Sequence, residues 1–228
     1  MAASRQRRSE RILCFEALRL ASLLAEHPQA ARPKTFALLA LFCFNAARLS
    51  GRVDAEGLLV PLESQDRSKW DYPLIAQGLR FLAESARERE VSEFHLEAAL
   101  ASLHSNAPSY AETDWPRIHD LYMQLERLKP TPVVALNRAI AAGMAYGAAR
   151  GSKDLEALQG VAALAAYPFY PAAQGEFRRL AGELEQARAC FLRAAALARN
   201  PAEQRFFERK LAQVEQLVQR KDDSEAPH

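Results

Sequence analysis

Apolar residues recur at intervals of three and four along most of this chain of 228 residues, a spacing typical of helices that bury one face. The pattern predicts a first amphipathic helix that begins near Ile12, ends near Pro28 and packs through Phe15 and Leu24. A second predicted helix, around residues 36–46, is apolar on nearly all sides and should be deeply buried. We expect roughly nine or ten helices and no sheet, so the predicted fold class is all-α.

Helix starts are marked by a polar residue followed by proline, because the missing N–H of proline has no intrahelical partner in the first turn. Thr131 precedes Pro132 in this way, and Asn200 precedes Pro201, with Glu203 completing a capping box. When one helix start follows another along the chain with no strand between them, the two helices are expected to pack as an antiparallel pair.

Residues 51–71 form the one long stretch without helical spacing. Its composition is that of turns and extended chain, and Pro61 would limit any strand there to a sheet edge. A connection of this length with little structure of its own is often functional.

The last third of the chain has the spacing of a tetratricopeptide unit, in which small residues let two helices touch and bulky ones fill the gaps. The matching positions are Gly175, Gly182, Ala187, Phe191 and Ala194, on a helix expected to open at Pro171 and a return helix expected to begin near Leu184, followed by a last helix capped by Asn200. We predict a tetratricopeptide-like right-handed superhelix of antiparallel helix pairs with one long non-helical loop. Its expected parts are an N-terminal helical part (1–90), helical repeats (91–220) and a disordered tail (221–228).

Composition and charge disfavour several classes of function. The formal net charge of +2 argues against general attraction to nucleic acid or a membrane. The three cysteines are widely spaced in apolar helical patterns, which favours buried thiols in a reducing cytoplasm. No secretory signal or membrane span is recognised. Basic residues crowd the start of the chain, where they are either solvated or available for nucleic-acid contact: Arg5, Arg7, Arg8 and Arg11.

Two readings apply to Gln65, Asp66, Arg67 and Trp70 at the end of the long loop. As a partner-binding group, Asp66 and Arg67 would grip the partner and Trp70 would be its anchor. As internal ties, Asp66 would cap the following helix, Arg67 would pair with a carboxylate and Trp70 would fill the core.

Four further positions carry the same pair of readings. Asp114 is placed to cap a helix that begins at Trp115, with Trp115 packed on a neighbouring helix. Asn137 and Arg138 interrupt an otherwise apolar helix. They either bond to a facing helix or lie on the concave binding face of a helical array.

The histidines do not have metal-ligand spacing, and neither a catalytic triad, paired carboxylates nor a glycine-rich phosphate loop is recognised. The sequence therefore predicts neither an enzyme nor a bound metal or cofactor. A small-molecule sensor with a pocket near Trp70 and Trp115 remains an alternative to protein binding.

Four segments resemble the C-terminal extension of extracytoplasmic-function (ECF) sigma factors that carry a tetratricopeptide-like domain. They are Leu-Leu-Ala-Leu at 38–41, Gln-Asp-Arg-Ser-Lys-Trp at 65–70, Thr-Asp-Trp-Pro at 113–116 and Pro-Val-Val-Ala-Leu-Asn-Arg-Ala at 132–139. They occur in the family's order and at about its spacing. The resemblance implies a helical fold, a cytoplasmic setting and a regulatory or partner-binding role beside transcription initiation.

Sigma factors of this kind carry, ahead of the extension, a region that melts the minus-ten promoter element and a helix-turn-helix that reads the minus-thirty-five element. We expect neither before Ile12, so DNA contact through those regions is assigned to no residue here. The expected partner is a protein or peptide held on a concave helical surface, with RNA polymerase core and the sigma core regions as candidates.

Overall fold

A computed structural model describes the backbone of residues 2–54 and 60–225, and the side chains of residues 12–54 and 60–221. This part of the chain consists of helices, short 3₁₀ turns and loops, without a β-sheet, which confirms the all-α prediction. The helices are α1 (Ala2–Glu26), α2 (Pro33–Ala47), α3 (Tyr72–Ser85), α4 (Glu93–Asn106), α5 (Trp115–Leu128), α6 (Pro132–Tyr146), α7 (Ala148–Glu156), α8 (Ala162–Ala165), α9 (Phe169–Leu180), α10 (Leu184–Ala196) and α11 (Pro201–Glu225).

The predicted caps of α6 and α11 are confirmed. The Thr131 hydroxyl accepts a hydrogen bond from the Val134 N–H at 3.3 Å. The Asn200 side-chain oxygen accepts the N–H groups of Ala202 and Glu203 at 3.0 and 2.9 Å. Each cap satisfies backbone donors that have no acceptor within the helix.

Two helices begin earlier than the apolar pattern predicted. α1 begins at Ala2, ahead of Ile12, because the preceding residues contain neither proline nor glycine to stop a helix. α9 begins at Phe169, so Pro171 is its third residue and not its first. Proline fits there because no N–H of the first turn has an intrahelical acceptor.

α11 also extends beyond its expected end at Lys221, continuing to Glu225. The hydrophobic period stops at Lys221, but the next residue that breaks a helix is Pro227. Residues 226–228 of the predicted disordered tail lie outside the described residues.

The chain divides into two compact units, each with its own core. Unit 1 comprises Met1–Asp114 and Arg127–Lys129, and unit 2 comprises Trp115–Glu126 and Pro130–His228. The predicted start of helical repeats at residue 91 stays a prediction. The two units are defined by which residues contact one another, and this does not test where repeating helix pairs begin.

In unit 1, α2 is the central helix and packs against α1, α3 and α4. Phe44 of α2 is fully buried and lies against Gly78 of α3. A Cβ atom on Gly78 would be only 2.9 Å from the Phe44 ring, so glycine is what lets α2 and α3 approach this closely. The core cluster consists of Ala40, Phe44, Ala47, Trp70, Ile75 and Ala98.

In unit 2, consecutive helices pack as antiparallel neighbours: α6 with α7, α9 with α10, and α10 with α11. Phe191 is buried and lies beside Gly175, whose Cβ would be 3.1 Å from the Phe191 ring. The same Cβ would be 3.2 Å from the Ala187 carbonyl oxygen, which confirms that small residues let α9 and α10 approach, and Phe191 clusters with Val214 of the next helix, α11, as predicted. The cores are formed by Leu136, Ala139, Leu155, Leu164, Tyr170 and Phe177, and by Ala187, Phe191 and Val214.

Phe177 occupies the closest contact in unit 2, between two glycines. A Cβ on Gly143 would come within 2.1 Å of the Phe177 ring, and one on Gly151 within 2.4 Å. The Gly151 Cβ would also be 2.7 Å from the Cα of Gly143, so α6 and α7 touch backbone to backbone.

α1 packs on α2 but leaves most of its large apolar side chains in solvent. The prediction that α1 packs through Phe15 and Leu24 is therefore wrong, whereas Leu18 of the same apolar pattern is half-buried. The reason is that α1 is apolar on two sides: Ala21 is buried with Leu18 beside it, and the exposed leucines lie elsewhere on the helix.

Candidate functional site

Trp70 lies at the centre of a group of basic side chains in unit 1. Its side chain is 4% exposed, which confirms that it fills the core. The guanidinium carbon of Arg67 is 4.5 Å from the centroid of the Trp70 ring, and that of Arg48 is 5.5 Å away. Gly51 covers the indole nitrogen, since a Cβ there would be 3.0 Å from Nε1. We refer to Arg48, Arg52, Arg67 and Trp70 as the tryptophan–arginine cluster.

Arg67 ties the long loop to the end of α4. Its Nη1 donates to the carbonyl oxygens of His104 and Ala107, at 2.9 and 2.8 Å. The prediction that Arg67 pairs with a carboxylate is therefore wrong. The last carbonyls of a helix lack intrahelical donors and carry the negative end of the helix dipole, so they take the place of the acidic partner.

Asp66 and Gln65 also form contacts within the loop. The Asp66 carboxylate accepts from the Ser68 N–H and hydroxyl at 3.0 and 2.6 Å, and these bonds lower its pKa. Asp66 thus caps the 3₁₀ turn Arg67–Lys69, while Asp71 caps α3 by accepting from the Leu74 N–H. Gln65 donates to the Val60 carbonyl at 3.0 Å. The side chains act as internal ties, and their partner-binding role stays a prediction.

The tryptophan–arginine cluster contains no ion pair within the described residues, where the ion pairs involve none of Arg48, Arg52 and Arg67. The Nε of Arg48 and the Nη2 of Arg67 are buried and donate to no acceptor in this part of the chain. Burial, together with the charges of Arg52 and Arg67, lowers the pKa of Arg48 to about 10.

His104, in the last turn of α4, is half-buried, and its pKa is affected by the charges of this cluster. Burial, and then the charges of Arg48 and Arg67, lower its pKa to about 4. The neutral form of the imidazole is thus the form that fits the folded protein.

Folding stability should depend on the charge of His104 below neutral pH. An unfolded histidine binds a proton near pH 6.5, whereas the folded one resists it until about pH 4, so acidification favours the unfolded chain. We expect His104 to remove about 3 kcal/mol of stability between pH 7 and pH 4. Urea denaturation across this range should show a shallower pH dependence for His104→Gln than for the wild type. The carboxylates titrate in both proteins, so their contribution cancels in the difference between the two free energies of unfolding. A difference that stays constant from pH 7 to pH 4 would contradict the prediction.

Arg138 belongs to an ion-pair network in unit 2. Its Nε is 2.7 Å from Glu126 of α5, and its Nη1 is 3.4 Å from Asp154 of α7, which also pairs with Arg150. The network links three helices; the bond to a facing helix that was expected of Asn137 stays a prediction. Asn137, beside it, is half-buried. A ligand role for either residue stays a prediction.

Trp115 is half-buried at the first residue of α5, and Asp114 before it is exposed. Their proposed capping and partner-binding roles stay predictions. The side chains of the four N-terminal arginines lie outside the described residues.

Two other features bear on the class of site. No helix among the described residues has the length and apolarity needed to cross a membrane. Nor does the described part of the chain bring together histidine, cysteine or carboxylate side chains in a group that could hold a metal ion. The cysteines there are free thiols.

Sequence reasoning missed the contribution of Arg48 and Arg52 to the site. Both follow the end of α2, where a basic pair looks like ordinary solvated charge. Only the fold of the long loop, which carries Arg67 back to the end of α2, brings Arg67 and Arg48 to one tryptophan.

Comparison with known proteins gives relatives without an assigned activity. Residues 1–86 match a family of unknown function (DUF6596). The chain is similar to an uncharacterized protein of Rhizobium meliloti (strain 1021), with 38% identity over 200 residues, which is 87% of this chain and 46% of that protein. The chain thus spans about half the length of this relative. No solved structure matches the chain.

Proposed function

We propose that the chain is a non-enzymatic, cytoplasmic protein-binding module of a transcription regulator of the ECF sigma-factor type. The observation that carries this proposal is the outward face of α1. Five large apolar side chains there are each at least 50% exposed: Ile12, Leu13, Leu20, Leu23 and Leu24.

These side chains share one side of α1, where at about 100° per residue they fall within a sector of about 120° that excludes the buried Ala21. Glu16 also lies in this sector, between the pair Ile12 and Leu13 and the group Leu20, Leu23 and Leu24, and it pairs with Arg19 at the edge of the sector. Exposed groups of large apolar side chains of this kind are typical of sites where another protein packs.

The proposed occupant is an apolar helical surface of the sigma core regions or of RNA polymerase core. Support comes from the segments that resemble the ECF sigma-factor extension, because in that family such regions precede the extension in the same protein. The length of the relative, about twice the part matched here, agrees with a module that works beside other domains. DNA contact through the basic N-terminus has no comparable support.

The tetratricopeptide-like superhelix belongs to the same proposal. Its support is that α9, α10 and α11 contact one another in sequence order, and that Gly175 and Phe191 meet between α9 and α10. A regular array of this kind would present a second, concave surface to a peptide.

The binding role can be tested with purified RNA polymerase core and an ECF sigma factor from the organism that encodes the chain. We expect the wild-type chain to bind one of them, and Leu20→Ser combined with Leu23→Ser to weaken binding at least about tenfold, because truncated interface anchors lose more than 1 kcal/mol. Isothermal titration calorimetry would measure both affinities.

Leu192→Ser, on α10, is the matched control, since Leu192 is 45% exposed and belongs to unit 2. Circular dichroism should show that all variants keep the wild-type helix content. Equal affinities for wild type and the α1 variant would contradict the proposal, as would binding to neither protein. Concentration-dependent dimerisation that the α1 variant abolishes would assign the face to a second copy instead.

A further inference from the structure

We propose that Arg48, Arg52 and Arg67 form a binding site for the phosphate group of a small molecule, at the junction of α2 and the long loop. This inference is independent of protein binding through α1. It follows from the charge, the hydrogen bonding and the restricted positions of these three side chains.

The first argument is the concentration of positive charge. The guanidinium groups of Arg48 and Arg67 lie over one indole ring, and Arg52 follows four residues after Arg48; its charge, with that of Arg67, lowers the pKa of Arg48. The two carboxylates beside Arg67 and Trp70 in the chain bond to other groups: Asp66 to Ser68 and Lys69, and Asp71 to the N-terminus of α3. Partly buried cations without a counter-ion are costly, and an anion that neutralises them recovers that cost.

The second argument is the inventory of donors. Arg67 directs Nη1 to two carbonyl groups and leaves Nη2 without an acceptor. Arg48 has a buried Nε that is likewise unsatisfied within the described residues. Arg52 is exposed, so the cluster reaches solvent on its side. Native proteins rarely leave such donors unpaired unless another group supplies the acceptors.

The third argument is pre-organisation. Arg48 and Arg67 both lie over the ring of Trp70, which is itself fixed in the core and covered by Gly51. Stacking on an aromatic ring restricts a long side chain that would otherwise lose its freedom on binding. Two of the three arginines are therefore already held in place before a ligand arrives.

A phosphate group suits the cluster better than a carboxylate. At neutral pH a phosphate monoester carries a charge of about −1.5 to −2 and three acceptor oxygens, whereas a carboxylate carries a single charge. Arginine also binds phosphate through two parallel hydrogen bonds. The two possible sources, inorganic phosphate and a phosphorylated metabolite, share this chemistry.

The experiment measures binding and thermal unfolding of the full chain at fixed ionic strength, with chloride replaced by the probe anion. The probes are inorganic phosphate, glycerol 3-phosphate and succinate. We expect one of the two phosphates to bind and to raise Tm by about 4 °C at ten times its Kd, because a ligand that binds only the folded state stabilises it. Tighter binding of glycerol 3-phosphate than of phosphate would identify a monoester as the ligand.

The variants Arg48→Gln and Arg52→Gln should each weaken phosphate binding by about tenfold, the loss expected when a charged hydrogen bond is removed. Without phosphate, Arg52→Gln should melt no lower than the wild type, since it relieves repulsion. A purely structural arginine would instead lower Tm. Because Arg52 is exposed, this variant keeps the test valid if Arg48→Gln does not fold.

Arg32→Gln is the matched control, because Arg32 is an exposed arginine at the opposite end of α2, about 24 Å away by helix rise. It should bind phosphate as the wild type does. The proposal is overturned if neither phosphate binds, if all variants respond equally to phosphate, or if succinate binds as tightly.

Discussion

Replacing Gly151 with alanine is expected to lower the free energy of unfolding by about 3 kcal/mol, at the upper end of the usual cost of overpacking. The added methyl group would be 2.4 Å from the Phe177 ring and 2.7 Å from the Cα of Gly143. Phe177 is 2% exposed, so its ring has no free space to move into. Urea denaturation followed by circular dichroism would measure the change.

Gly160→Ala is the control for this substitution. Gly160 has a φ of 83° and no atom within 4 Å of its missing Cβ, so alanine there should cost only about 1 kcal/mol of backbone strain. Gly143→Ala combined with Phe177→Leu should be less destabilising than the sum of the single changes, because both act on one contact. Equal losses at Gly151 and Gly160 would show that the close approach of α6 and α7 is not limiting.

Truncating Phe44 to alanine should have a comparable or larger effect, lowering the free energy of unfolding by about 3–5 kcal/mol. The side chain is fully buried in α2, the helix around which unit 1 is built, and it rests on Gly78. The cavity left behind would lie between helices whose backbones already touch this side chain, which limits collapse. Chemical denaturation at neutral pH would measure the loss.

Phe15→Ala removes the same atoms from α1, where the ring is 42% exposed. We expect it to cost less than about 1 kcal/mol, since little of the removed surface is withdrawn from water on folding. A loss at Phe15 as large as that at Phe44 would mean that α1 is covered, contrary to the structure.

The sequence predicted best those features that depend on neighbouring residues. The caps at Thr131 and Asn200 were predicted correctly because a side-chain oxygen reaches backbone donors two or three residues ahead. The close approach at Gly175 and the packing of Phe191 on the next helix were also predictable, since they repeat a known spacing of small and large residues.

Features that depend on distant segments were not predictable. Periodicity showed that α1 is amphipathic, but it cannot show which of two apolar sides packs on α2. Likewise, the carbonyls that bind Arg67 lie about 40 residues away in the chain, and they are backbone atoms that every residue carries.

In the candidate site, too, the residues that neighbouring sequence marks were predicted, and those that distant segments bring in were not. Arg67 and Trp70 were selected because a tryptophan beside charged residues in a long loop is unusual. Their alignment with Arg48 depends on the path of the loop, which no local pattern encodes.

The ends of the loop between α2 and α3 meet: the Asp71 N–H donates to the Ala47 carbonyl at 2.9 Å. The two helices therefore keep their spacing whatever lies between them. Homologues could gain or lose residues within this excursion at little thermodynamic cost, because the entropy of closing a loop grows only logarithmically with its length. Diversification by insertion and deletion should therefore concentrate here, leaving the helical framework of unit 1 unaltered.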